Sequence, residues 1–400
     1  MTDPSGVVTG PSDRGTGPLL VYADGPDGPL PDPVHIAALT GRSAARLLLG
    51  WVVRPPAWLA DPGLPVTTVL VGPGTRRAVA AGVVRAVPAR LSGLPARLGT
   101  ELRPDVAVVG AMADGTGFRF AHSLGWAPAA ARGAAAVVIE RWPGPPAVGA
   151  PLVEGNIVAV YDRAEPPDQP PRPEVGPLER EIGRLVAALV PDRATVQWGP
   201  GTIGAAVVSA LTRPVAVWSG LVTDEVVGLE ERGLLAGPAR AAYLWGSESL
   251  HALRQRGQLV LDPVERTHDL SALSHRDRLV AVNTALEVGL DGSVNVERIG
   301  GRTVAGSGGH PDFCAAASRS PGGLSVVALR SSFGARSGIV ERCEVVSTPR
   351  VDVDVVVTEH GVADLRGLDD VGRAAALVAV ADPAHRATLA SAARRAVSPV

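Results

Sequence analysis

The chain has 400 residues and a formal net charge of −2, with 46% hydrophobic and 20% charged residues. That length suggests two domains or one large α/β unit, and the apolar fraction supports a sizeable core and argues against global disorder. Every basic side chain other than histidine is arginine. Schiff-base, pyridoxal-phosphate and Walker-type ATPase chemistries, each of which uses a lysine, are therefore disfavoured.

The arginines are scattered without a basic block, so no nucleic-acid partner is expected. Cys314 and Cys343 form no CxxC pair and no metal framework, which suits a reducing cytoplasm, and no metal site is expected. No run reaches 18 apolar residues, so no membrane partner is expected. Residues 1–30 begin MTDPSGVVTGPSDRG, lack the pattern of a secretory signal, and are expected to be a flexible tail.

A first α/β domain is expected over residues 31–162. Its apolar runs at 66–72, 105–112, 135–140 and 156–162 read as strands, and RRAVAAGVV at 76–84 reads as a helix. Continuous apolar strands alternating with helices predict a mostly parallel sheet covered on both faces. Residues 163–177, rich in proline, read as a linker.

A second α/β domain is expected over 178–400, opening on an amphipathic helix at 178–190. Strands are predicted at 195–199, 215–219, 241–246, 279–288, 325–330, 339–346 and 353–361, and closing helices at 370–380 and 384–397. The fold class is thus α/β, with two open, mostly parallel sheets.

Three polar or glycine-rich blocks interrupt this pattern. GPGTIGAAVVSAL places Gly199, Gly201 and Gly204 between a strand and a helix. Glycines let a ligand approach the backbone, and a helix N-terminus offers free N–H groups to anionic oxygens. A dinucleotide site, a CoA or acyl site and plain tight turns all fit this loop, although VAVWSG lacks the carboxylate that a ribose site expects. AGSGGHPDF sets Gly306, Gly308 and Gly309 beside Ser307, His310 and Asp312, and such a turn can form an oxyanion nest. VVVTEHGVADLRG ends a β-branched run on Glu359, whose expected role is structural: orienting backbone amides or pairing with Arg366.

These blocks, in order, resemble one family. VPDRATVQWGPGTIGAAVVSAL, AVNTALEVGLDGSVNVE, AGSGGHPDFCAAASRSPGGLSVVAL, VVVTEHGVADLRG and VAVADPAHRATL resemble successive elements of the acetyl-CoA hydrolase/transferase family, of the kind that acts on 4-hydroxybutyrate and acetate. The likeness is strong over 178–390 and fainter before it. It implies two related α/β domains with CoA held at a cleft between them. It also implies a glutamate nucleophile passing through a glutamyl-CoA thioester, with a backbone N–H of Gly308 or Gly309 on the oxyanion.

The resemblance places Gly220 where that glutamate belongs, in the gap-free stretch VWSGLVTDEV. Gly204 stands for a family proline, Gly289 for an aspartate and His310 for a glutamine. Asp224 and Glu225 follow Gly220, about 6–7.5 Å along a helix axis if the stretch is helical. With Glu287, they are the candidate replacements for the missing nucleophile, and Asp312 and His310 are further candidate bases. Gly199, Gly201, Gly308, Gly309 and His310 are the expected acyl-CoA and oxyanion contacts.

Three functional readings follow. The first is an acyl-CoA hydrolase or transferase without the glutamyl-CoA intermediate. The second is a non-catalytic CoA binder or inactive subunit. The third is an α/β protein with a different ligand. No permanently bound cofactor is expected, and CoA or an acyl-CoA enters as substrate or ligand. The expected partners are a small acyl-CoA and a carboxylic acid, with a homo-oligomer or an active paralogous subunit as assembly.

Overall fold

A computed structural model describes residues 19–22, 24–26, 28–29, 32–41, 46–163, 169–171 and 174–397. Eight strands form the first sheet: β1 (Leu19–Tyr22), β2 (Arg46–Leu49), β3 (Val66–Thr68), β4 (Val84–Ala86), β5 (Val106–Ala113), β6 (Phe118–Phe120), β7 (Ala136–Arg141) and β8 (Ile157–Asp162). Their order is β4-β3-β2-β1-β5-β7-β8, with β6 antiparallel on β5 and the other pairings parallel.

The second sheet also has eight strands. β9 (Thr195–Trp198), β10 (Ala216–Val222), β11 (Ala239–Leu244), β12 (Leu259–Leu261) and β13 (Leu279–Thr284) lie in the order β12-β11-β10-β9-β13. Leu324–Ala328, Val355–Thr358 and the antiparallel edge Gly361–Asp364 follow. In each sheet the first strand is flanked on one side by the second strand and on the other by a later one. Ligands of open α/β sheets gather outside the strand C-termini at such a reversal.

The expected tail does not reach Tyr22. Leu19–Tyr22 pairs with both β2 and β5 at the centre of the first sheet. A four-residue apolar strand after a Gly/Pro-rich stretch carries too little local pattern to be read alone. Residues 1–18 lie outside the described residues, as do 164–168 and 172–173 of the expected linker.

The helix expected at 76–84 stops at Ala80, because Gly82 takes a positive φ and Val84 opens the edge strand β4. The strand expected at 279–288 breaks after Thr284, and Glu287–Gly289 pairs instead with Val294–Asn295 and Ile339–Val340. The latter is all that forms of the strand expected at 339–346. The run expected at 353–361 is a hairpin, turning at Glu359 and His360.

The halves are packed together. One core cluster joins Val109, Phe120 and Ile139 of the first half to Val196, Val222 and Leu244 of the second. Each such buried Val, Leu or Ile contributes about 1.5–3 kcal/mol relative to exposure. Behind it, the helix Pro177–Leu189 lies on the helix Thr202–Ala210, where Gly183 leaves no room for a Cβ against Ala206. Among the described residues, no helix is long and apolar enough to cross a membrane.

Candidate active site

The strand C-termini of both sheets open onto one cleft of about 1160 Å³. From the second sheet come Gly199 and Gly201 after β9, Ser219 and Gly220 on β10, and Asn283 to Leu286 at and beyond the end of β13. The first sheet adds Trp51 after β2 and Leu70 to Pro73 after β3. The loop Gly306–Gly309, with His310, completes the wall.

This loop is stitched to the first half. Gly306 N donates to Val71 O at 3.1 Å, and Ser307 Oγ approaches Ala89 O at 3.5 Å. Just beyond, the Asp312 carboxylate accepts from Ser92 N at 3.2 Å and Ser92 Oγ at 2.6 Å, with Arg90 Nη1 at 3.6 Å. Burial raises the Asp312 pKa, and the Ser92 and Arg90 contacts oppose that rise. Asp312 is therefore a tie between halves rather than a base directed at the cleft.

Gly220 lies inside β10, not in a turn after it. Strand residues two apart share a face, so Trp218 and Gly220 both point toward Phe313. The opposite face carries Ser219, whose hydroxyl donates to Leu221 O at 2.9 Å. The extended backbone continues to Val222, so the helical spacing expected for Asp224 and Glu225 does not apply. Both line the cleft, but each is engaged locally. Asp224 accepts from Ser247 N at 3.0 Å and Ser247 Oγ at 2.7 Å, and Glu225 accepts from Thr223 Oγ1.

Glu287 is off the cleft wall. Its carboxylate accepts from Asn295 Nδ2 and Arg336 Nη2, each at 2.8 Å, so it anchors the small sheet instead of replacing a nucleophile. Glu359 likewise holds backbone, accepting from Ser331 N at 2.9 Å and Ser331 Oγ at 2.6 Å, while Arg366 pairs with Asp364.

Both glycine loops line the cleft. Gly201, with φ +119°, precedes the helix Thr202–Ala210, and no side chain caps it. That end therefore presents free N–H groups at the cleft. Gly308, with φ +57°, gives the second loop a left-handed turn before the helix His310–Ala317. His310 is buried, its Nδ1 2.8 Å from Thr348 Oγ1 and its Nε2 unpartnered among the described residues. Burial pulls its pKa down to about 4.

The residue that sequence reasoning missed is His268. It follows the short helix Val264–Thr267 and is fully buried, yet it forms part of the cleft wall. Its ring packs on Phe313 with centroids 4.9 Å apart. A Cβ on Gly220 would lie 3.0 Å from His268 Nε2, and one on Gly309 only 2.7 Å away. The imidazole edge thus fills the gap between β10 and the second glycine loop. Trp218 fixes this segment from below, its indole N–H donating to Thr267 O at 3.0 Å. Among the described residues, none partners His268 Nε2, and burial holds its pKa down at about 3. A lone histidine in VERTHDL carries no motif, so only the fold brings it to Gly220.

Among the described residues, no three His, Cys, Asp or Glu side chains converge as metal ligands would.

Residues 246–393 match the model of the acetyl-CoA hydrolase/transferase C-terminal domain. The 4-hydroxybutyrate coenzyme A transferase of Clostridium kluyveri is 32% identical over 235 residues, covering 54% of this chain and 54% of its own. The chain thus spans about half the length of that relative. The succinyl-CoA:cyclohexane-1-carboxylate CoA transferase of Geobacter metallireducens is 29% identical over 348 residues, covering 80% and 78% of the two chains. In fold, RipA from Yersinia pestis superposes with a TM-score of 0.81 at 23% identity, covering 96% of this chain and 95% of that one. Residues 246–393 thus carry the acetyl-CoA hydrolase/transferase C-terminal domain, and the relatives and the fold agree with the ordered sequence blocks.

Proposed function

We propose that the cleft binds an acyl-CoA and splits its thioester into a carboxylic acid and CoA without a glutamyl-CoA intermediate. The observation that carries this reading is Gly220: the position facing the second glycine loop has no side chain to form an anhydride. The loops supply what thioester chemistry needs besides a nucleophile. The uncapped end of Thr202–Ala210 suits an anionic group, and the Gly308 and Gly309 N–H groups suit a developing oxyanion.

CoA then enters as substrate, not as a resident cofactor. The buried Cys314 and half-buried Cys343 are both free thiols, in keeping with a reducing cytoplasm. A homo-oligomer or an active paralogous subunit remains the proposed assembly.

The test combines calorimetric CoA titration with mass spectrometry of the protein incubated with acetyl-, butyryl- and succinyl-CoA. Acid release with no covalent CoA adduct supports hydrolysis. CoA binding without turnover identifies a non-catalytic CoA binder, and an absence of binding rejects the CoA reading.

A further inference from the structure

The lost carboxylate leaves a gap, and one polar atom occupies it. His268 Nε2 sits where the first side-chain atom of residue 220 would press, and a Cβ on Gly309 would press on the same nitrogen. Glycine at both positions is what admits the ring. The nitrogen is buried and, among the described residues, unpartnered, and its residue lines the cleft. Leaving a buried polar atom unsatisfied costs about 1–3 kcal/mol, a cost that a ligand or a reacting water can remove.

The surroundings accommodate the tautomer that a base needs. Thr267 Oγ1 lies 3.3 Å from Pro263 O and 2.9 Å from His268 Nδ1. When the hydroxyl donates to the carbonyl it accepts from Nδ1–H, and in that tautomer the lone pair is on Nε2. Among the described residues, His122, His251 and His310 also hold a buried ring nitrogen without a partner; of these only His310, at the family's glutamine position, lines the cleft, and none is the ring pressed against Gly220.

Resting on the acyl-CoA reading above, we infer that His268 is the general base of a direct hydrolysis that replaces covalent CoA transfer at this site. Nε2 takes a proton from a water as the water oxygen bonds to the thioester carbonyl carbon. The resulting oxyanion faces the Gly308 and Gly309 N–H groups. The carbon–sulfur bond then breaks, and the imidazolium returns its proton to the CoA sulfur. One water is consumed, and one acid and one CoA thiol are released. The anionic intermediate beside the ring stabilises the imidazolium, countering the burial that keeps the free site neutral.

The experiment compares the parent with His268→Ala and His268→Gln, reading acyl-CoA hydrolysis, CoA affinity by calorimetry, and rescue of the alanine variant by added imidazole. Both variants are expected to keep CoA affinity within about threefold and to lose at least about 100-fold in hydrolysis, the usual range for a general base. Imidazole is expected to restore part of the activity of His268→Ala and none to His268→Gln. Variants that fold cooperatively, bind CoA and hydrolyse within threefold of the parent overturn the assignment and leave the acyl-CoA reading standing. A parent that binds acyl-CoA without releasing acid also overturns it. A parent that binds no CoA removes the acyl-CoA reading, and the assignment falls with it.

Discussion

His268 Nε2 would stand 3.0 Å from a Cβ on Gly220, closer than side-chain carbons ordinarily approach a nitrogen. Glycine at 220 and the seat of the imidazole are thus one packing arrangement. Restoring glutamate alone is therefore expected to fail. Gly220→Glu should give no glutamyl-CoA adduct by mass spectrometry, whereas Gly220→Glu combined with His268→Ala should give one on incubation with acyl-CoA. An adduct from the single variant would show that the ring yields without cost.

A Cβ on Gly309 would meet the same ring more tightly, at 2.7 Å from Nε2 and 3.1 Å from Phe313. Gly309→Ala is expected to push the imidazole off its seat, at an overpacking cost of about 1–3 kcal/mol. Chemical denaturation should show that loss, with hydrolysis falling more than CoA affinity.

Acid should weaken the fold through its buried histidines. His268 and His310 are held at about 3 and about 4, below the ordinary 6.5, so the unfolded chain binds protons that the native one refuses. Stability is therefore lost as pH falls below 6.5, by about 2 kcal/mol per histidine at pH 5. Asp24 acts in the opposite sense. Its carboxylate accepts from Trp126 N at 2.6 Å and Tyr243 Oη at 2.8 Å, and burial pushes its pKa up to about 7. Its contribution is present below the ordinary 3.8 and lost as pH rises toward 7, so acidification from pH 7 to 5 returns about 2 kcal/mol. Urea melts at pH 7 and pH 5 should find the acid loss smaller in His310→Gln and larger in Asp24→Asn than in the parent.

Asp312 ties the second glycine loop to Ser92 of the first half. Asp312→Ala leaves Ser92 without that partner and should cost about 1–3 kcal/mol. The loosened loop should raise KM for acyl-CoA more than it lowers kcat. An equal fall in kcat with unchanged KM would indicate that Asp312 acts in the chemistry.

Much of the architecture was legible because its signals are local. The apolar runs at 105–112 and 135–140 match β5 and β7 to within a residue, and the closing helices fall where expected. The glycine loops announced a ligand-facing backbone, and both line the cleft. Leu19–Tyr22 was missed because its strand identity comes from two partners distant in sequence. The run 339–346 was overread because only Ile339 and Val340 find a pairing strand.

The candidate site divides in the same way. Glu287 sits in a motif-like block, yet Asn295 and Arg336 engage its carboxylate away from the cleft. His268 sits in no motif, yet the short helix before it and the Trp218 indole deliver its ring to the strand end.

By itself, the sequence determined the strand and helix alternation, the glycine loops and the absence of a carboxylate at residue 220, since these depend on side-chain type and near spacing. Only the tertiary structure decided what fills that absence. Residues 220, 268 and 309 meet across segments separated by dozens of residues, and close packing between strand, loop and helix selects the imidazole that stands there.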